Sequence, residues 1–406
     1  MTGAKPWRLF HRSVPAQTLI ALSFNIVSLF AGGLIALFTP MFRAAPWILA
    51  LFPPILTIRG DISGIFSGNL TTMLHLGLVR PQVRRNTEVY GRLVTTVFVI
   101  TFIDTLAMGL ISFILNLLLG TATLRQFHVF ACVPPVTCIM AVALTVPITS
   151  LLAIATFRRG LDPDILVYPI LASINDIIVA ASFAATISLV LKAGSAPYLL
   201  GAVFLAISVF SLSMAWRNRR NEFFLKTIRE GAAVVILSSL LGSVNGIFLS
   251  GLRESFLRYP GVVVLYPSLL SGLGNIGSIM GSLTTTSLAL GYMRSLGDEV
   301  RSALRRIIQV EAVAALMHVV FGVVAYALVG PASRRASLPF LVGVSLLSNL
   351  SSFIVIAVFA LVVASLAFRR GLNPDNVVIP TITTTSDTVA TLSMLPAIAI
   401  LGMFWA

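Results

Sequence analysis

Charge is what this sequence has least of. Of its 406 residues 10% are Asp, Glu, Lys or Arg, where an ordinary soluble domain carries about 25%. Apolar residues make up 57%, and the mean hydropathy is +0.98. So little charge cannot coat a globule, which excludes a water-soluble fold and makes this a polytopic membrane protein with the lipid bilayer as its first partner. Acids are scarcer than bases, 14 against 28, for a net charge of +14. On a soluble chain that balance would point to nucleic acid. Here the arginines sit in short loops between apolar stretches, where they act as topology signals, and no nucleic-acid partner is expected. Cysteine is nearly absent. Cys132 and Cys138 share one apolar stretch with no His or acid beside them, so neither a disulfide framework nor a zinc site is indicated. His11, His75, His128 and His318 are scattered. No Ser/His or paired-acid catalytic motif stands out, so neither an enzyme nor an organic cofactor is expected. No small-residue cleavage site follows the first apolar stretch, which reads as a retained span.

A span needs about 20 apolar residues to cross ~30 Å of hydrocarbon. Apolar stretches run through 15–39, 46–78, 93–119, 129–156, 165–191, 197–215, 232–252, 261–292, 307–330, 338–367 and 376–405, which predicts eleven helices. Two of them, 46–78 and 261–292, are over-long and interrupted by Gly, Pro and polar residues. Lys and Arg alternate in density from loop to loop. The N-terminal tail, 79–92, 158–159, 217–229, 294–306 and 369–370 together hold twenty, and the opposite set holds seven. That bias predicts a cytoplasmic N-terminus and an outside C-terminus in the cell membrane.

The chain repeats itself. Phe157–Asp164 recurs as Phe368–Asp375 with seven of eight residues identical, 211 residues apart. Seven residues after a shared proline each copy then places an acid, Pro169 leading to Asp176 and Pro380 to Asp387. Pro53–Gly77 also aligns without a gap on Pro267–Gly291, 214 residues apart, pairing Gly60 with Gly274, Asp61 with Asn275 and Thr71 with Thr285. The chain therefore divides into a tail, 1–14; a five-helix unit, 15–192; a linker helix and loop, 193–231; and a second five-helix unit, 232–406. Five spans is an odd number, so the extra helix restores orientation, and the halves are parallel repeats about an axis along the membrane normal. Such a pseudo-dimer is expected to function as a monomer, with its path on that axis.

Acids inside spans are functional candidates by default. Five of the fourteen qualify: Asp61, Asp104, Asp176, Glu311 and Asp387. Asp176 and Asp387 are equivalent by repeat. Ser173 precedes the first by three residues, and Thr384 and Thr383 precede the second by three and four, which puts hydroxyls and carboxylate on one helical face. Oxygen-only ligands suit a hard cation. Magnesium, which sheds water reluctantly, favours one or two carboxylates contacted largely through retained waters. Gly60, Gly64, Gly68, Gly272, Gly274, Gly277 and Gly281 predict close packing or local unwinding, whose freed carbonyls could ligate ions. Asp61 and Asn275 stand at the equivalent point of the two breaks. Arg59 is expected either to pair with Asp61 or to snorkel to an interface. Asp104 and Glu311 are candidates for sodium or proton coupling, or structural acids.

These segments resemble the MgtE family of magnesium transporters and its eukaryotic solute-carrier relatives. Phe52-Pro-Pro-Ile-Leu-Thr-Ile-Arg-Gly-Asp61 and Tyr266-Pro267 through Gly272-Leu-Gly-Asn275 resemble the two copies of one family signature. Asp162-Pro163 with Pro169 and Asp176, and Asn373-Pro374 with Pro380 and Asp387, resemble the final-helix motif. The resemblance implies a divalent-cation path between two five-helix units, most simply for Mg2+ as transported ion, with Asp176 and Asp387 facing it. Three departures stand out. Asp61 replaces an Asn, Ile279–Met280 stand where a Gln often follows the Gly-Asn, and no cytosolic gating domain is expected. The alternative within transport is a Na+- or H+-coupled exporter. A further alternative is a carrier of another divalent ion, or of an anionic solute using Arg59.

Overall fold

The computed structural model describes residues 14–82, 85–158, 163–192, 196–289, 296–329, 337–371 and 374–405, and the side chains of some helical residues, Pro169 and Pro380 among them, lie outside that description. Asp162 and Asn373 also lie outside the described residues. Each described element of regular structure is helical, as expected where no water can satisfy a backbone group. In chain order the helices are α1 (Val14–Ala36), α2 (Trp47–His75), α3 (Glu88–Leu118), α4 (Phe127–Arg158), α5 (Pro163–Leu191), α6 (Ala196–Asn218), α7 (Glu222–Gly251), the short α8 (Arg253–Arg258), α9 (Pro260–Ala289), α10 (Leu296–Val329), α11 (Leu338–Arg369) and α12 (Pro374–Trp405). Among the described residues ten are long and apolar enough to cross a bilayer, and α7 adds a shorter apolar stretch, Ile236–Gly251. The protein is an all-α polytopic membrane protein.

Local chemistry sets the helix ends. Thr87, Asn221 and Ser337 cap α3, α7 and α11, each side-chain oxygen accepting the backbone N–H three residues on, which satisfies a donor that a helix start leaves orphaned. Gly77, Gly120 and Gly371 follow α2, α3 and α11 with φ of 71°, 70° and 63°, the left-handed conformation that terminates a helix.

Of the two alternatives for the over-long spans, close packing and local unwinding, the structure shows no unwinding. Both α2 and α9 run unbroken through Gly60 and Gly274, and α2 carries Pro53 and Pro54 inside it. Neighbouring helices enclose most of each, with 89% and 94% of their apolar windows buried. That packing holds the backbone helical through Gly60 and Gly274, so neither glycine marks an unwound segment.

The halves exchange their first helices. α1 packs on α9 and α10 of the second half, and α7 packs on α2 and α3 of the first. The contact is made by small residues at matching places. A Cβ on Gly32 would strike the backbone of Val263 and Val264, and one on Gly246 would strike the backbone of Ala50. Gly32 and Gly246 are 214 residues apart, as are Ala50 and Val264, so one close approach is made twice. Beyond the ends of α1 and α7, Arg43 meets Glu254 of α8 at 2.8 Å. The same end of each half therefore lies on the same side, as parallel repeats require. That exposed pair also draws Glu254 below the usual carboxylate range, chiefly through the hydrogen bond from Arg43. α6 packs on α3, α4 and α5 with most of its surface left outward. The pseudo-symmetry is imperfect, because α12 leans broadly on α2 while α5 barely touches α9.

Candidate cation path

Asp176 on α5 and Asp387 on α12 are 1% and 6% exposed. Each is held by the long helix of the other half. Thr57 of α2 donates to Asp387 Oδ2 at 2.9 Å, and Ser271 of α9 donates to Asp176 Oδ2 at 2.6 Å. Thr57 and Ser271 are 214 residues apart and so occupy one place in the repeat. Reciprocal bonds of this kind are what a twofold axis generates, residue i on j and j on i. The two acids thus lie on opposite sides of the seam between the halves.

The symmetry ends at Arg59. Its guanidinium does not pair with Asp61 and does not snorkel. Nη1 lies 2.8 Å from Asp176 Oδ1, with only 9% of the side chain exposed, and donates to the carbonyl of Ala172 at 2.7 Å, while Nε donates to the carbonyl of Leu56. Ser28 adds a second hydroxyl on Asp176 Oδ2 at 2.5 Å. An uncompensated buried carboxylate costs several kcal/mol, and Arg59 removes that cost for Asp176. At the matching place in the second half stands Leu273. Asp387 accordingly has Thr57 and no ion-pair partner among the described residues. An arginine so engaged is not a ready ligand for an anionic solute.

The hydroxyls expected beside the two acids face other groups. Ser173 donates to Asn25 Oδ1 at 3.2 Å, and Asn275 donates to the same atom at 2.9 Å. Thr384 donates to Asp61 Oδ1 at 3.1 Å and bonds Ser238 at 2.9 Å. Because Asp61 and Asn275 are repeat mates, as are Thr384 and Ser173, these are two versions of one polar cluster. One is acidic and one neutral. Gly60 and Gly274 both face Thr383, whose side chain a Cβ at either would meet at 3.9 Å. Asp104 on α3 is fully buried and accepts from Ser239 at 2.7 Å. Glu311 on α10 accepts from Asn349 at 2.9 Å, a pair between α10 and α11 that includes neither axial acid.

Asn25, Ser28, Thr57, Ser63, Ser238, Ser239 and Ser271 were not singled out from sequence, although they make most of this network. For Thr57 and Ser271 a signal existed, since the 214-residue alignment sets one hydroxyl on the other. Ser63, reached by Asn175 at 2.7 Å, had no such mark. Among the described residues no three His, Cys, Asp or Glu side chains assemble as a metal-binding group. A cation here would meet two carboxylates at most, with hydroxyls, amides and its own waters completing the shell.

An all-helical bundle of two exchanged halves, with acids buried at their seam, is the architecture of a two-repeat integral membrane protein. The sequence profile of the MgtE family, described as divalent cation transporter, matches residues 52–186 and again 266–396, one match in each half. The chain belongs to that family. Among curated proteins it is similar to solute carrier family 41 member 3 of Rattus norvegicus, 23% identical over 377 residues covering 87% of this chain and 79% of the relative. It is similar to that of Mus musculus at 22% over the same length, covering 75% of the relative. No solved structure matches it.

Proposed function

We propose that this protein carries a divalent metal cation, Mg2+ foremost, along the seam between its halves, with Asp387 and Asp176 holding the partly hydrated ion. The observation that carries the reading is the crosswise pair of bonds, Thr57 to Asp387 and Ser271 to Asp176. It supports a path shared by both repeats within one chain, and hence a functional monomer. Asp387 is the acid open to an ion in this arrangement. Asp176 joins once Arg59 lets it go. Asp61 and Asn275, with Ser173, Thr383 and Thr384, shape the polar walls, and Gly60 and Gly274 keep the space before Thr383 narrow-walled but unfilled. The protein performs transport and not catalysis, and lies in the cell membrane with its N-terminus in the cytoplasm.

The test is Mg2+ flux into proteoliposomes, with and without a sodium or proton gradient, for wild type and Asp387→Asn. Gradient-independent flux, lost at least tenfold in the variant, is expected. Flux that appears only with a gradient would make the protein a coupled exchanger instead and turn attention to Asp104 and Glu311. Full flux in Asp387→Asn would remove the axial site.

A further inference from the structure

Asp61 on α2 and Asp104 on α3 are both wholly buried. Consecutive residues of α7 reach them. Ser239 donates to Asp104 Oδ1 at 2.7 Å, while Ser238 is bonded to Thr384, which donates to Asp61 Oδ1 at 3.1 Å. One oxygen of each carboxylate is thereby satisfied. The other, Oδ2 of Asp61 and Oδ2 of Asp104, is buried without a partner among the described residues. Arg59, the cation nearest in sequence, is committed to Asp176. Two buried carboxylates, each with one oxygen left over, form an incomplete coordination shell.

Packing alone does not demand this pair, because the second half packs without it. Asn275 stands in place of Asp61. Gly109 and Gly322, each pressed against the backbone of the following helix at Phe130 and Val342, align Asp104 with Met317. The mate of two acids is thus an amide and a thioether, in a helix crossing of the same kind. A feature present in one half and dispensable in the other calls for a ligand as its reason.

We infer that Asp61 and Asp104, with the hydroxyls of Ser238, Ser239 and Thr384, form a second divalent-cation site, off the axis and in the first half alone. Charge selects the valence. Two carboxylates in a low-dielectric interior are neutralised by one divalent ion, whereas a monovalent ion leaves a net charge that burial penalises. All five donors are hard oxygens, the set that magnesium and manganese accept. Thr384 lies one helical turn before Asp387, so the site adjoins the axial acid along α12, and an ion resting there is placed to repel the next one onward, as adjacent sites do in multi-ion paths. This inference rests on the divalent-cation reading above.

The experiment is an equilibrium titration of the purified full chain with Mn2+, followed by electron paramagnetic resonance, with Mg2+ as competitor. Wild type should bind two ions. Asp104→Asn should bind one, with its elution profile and helical circular dichroism unchanged. Ser239→Ala, which leaves both acids in place, should weaken one of the two sites severalfold. Asp387→Asn should lose the other site and keep this one. Two ions in Asp104→Asn, or a single ion in wild type that Asp104→Asn leaves in place, overturns the second site. If Asp104→Asn lowers the count by one while Asp387→Asn does not, the second site stands and the axial site falls.

Discussion

Arg59 and Leu273 occupy the same place in the two halves and give the two axial acids different lives. Asp176 is bound by a guanidinium and two hydroxyls, and Asp387 by one hydroxyl. Arg59 places a tethered positive charge directly on Asp176. Arg59→Leu copies the second half and strands Asp176 as an unpaired buried charge, a change that costs about 3–5 kcal/mol in comparable buried pairs. A clear fall in the thermal unfolding temperature in detergent is expected. Arg59→Leu with Asp176→Asn should recover most of it, because removing both partners leaves no orphan charge. In the single variant, Mg2+ should raise the unfolding temperature more than it does in wild type, since Asp176 is then available to it. Equal temperatures for wild type and Arg59→Leu would mean that Arg59 does not hold Asp176. The acids themselves were legible in the sequence, because a charge inside an apolar run announces itself. Their partners were not. Thr57 lies 330 residues from Asp387, and a hydroxyl in a helix is too ordinary to mark which distant helix it will face.

At the scale of helices, the exchange of α1 and α7 depends on glycine. Gly32 and Gly246 admit the backbone of the opposite long helix, and a methyl at either overlaps main-chain atoms that cannot step aside. Overpacking of this kind costs about 1–3 kcal/mol, so Gly246→Ala and Gly32→Ala should each lower the unfolding temperature. The neighbouring Gly33 has open space around its Cβ position. Gly33→Ala should be neutral or slightly stabilising, since alanine is favoured over glycine in a helix by about 1 kcal/mol. Similar effects of Gly32→Ala and Gly33→Ala would deny the close crossing. Hydropathy predicts eleven spans, of which ten are long and apolar enough to cross a bilayer among the described residues, the stretch at 232–252 being the shorter one. The state of α2 and α9 could not be read in that way. Glycine and proline in a long apolar stretch permit unwinding and permit close packing equally, and only the enclosing helices decide between them. The exchange of first helices was also hidden, because periodicity tells which face of a helix is apolar and never whose groove it enters.

For the whole molecule, the Arg43–Glu254 contact and the matching crossings make the halves parallel, but parallel halves can face either way across a membrane. The loops decide. Ala44, after α1, belongs to the loop set poor in basic residues, and Gln82, after α2, to the rich set. The rich set should remain in the cytoplasm. In a background with Cys132 and Cys138 replaced by alanine, Ala44→Cys in intact cells should react with a membrane-impermeant thiol reagent. Gln82→Cys should react only after the membrane is opened. The reverse pattern would invert the protein in the membrane. The orientation matters because the two halves are not equivalent. One half carries two additional acids and an arginine, the other their neutral counterparts, and α12 lies closer to α2 than α5 does to α9. A dimer of identical chains could not hold such differences. Fusing the repeats into one chain lets each half diverge, so that Arg59, Asp61 and Asp104 stand in one half without counterparts of like charge in the other.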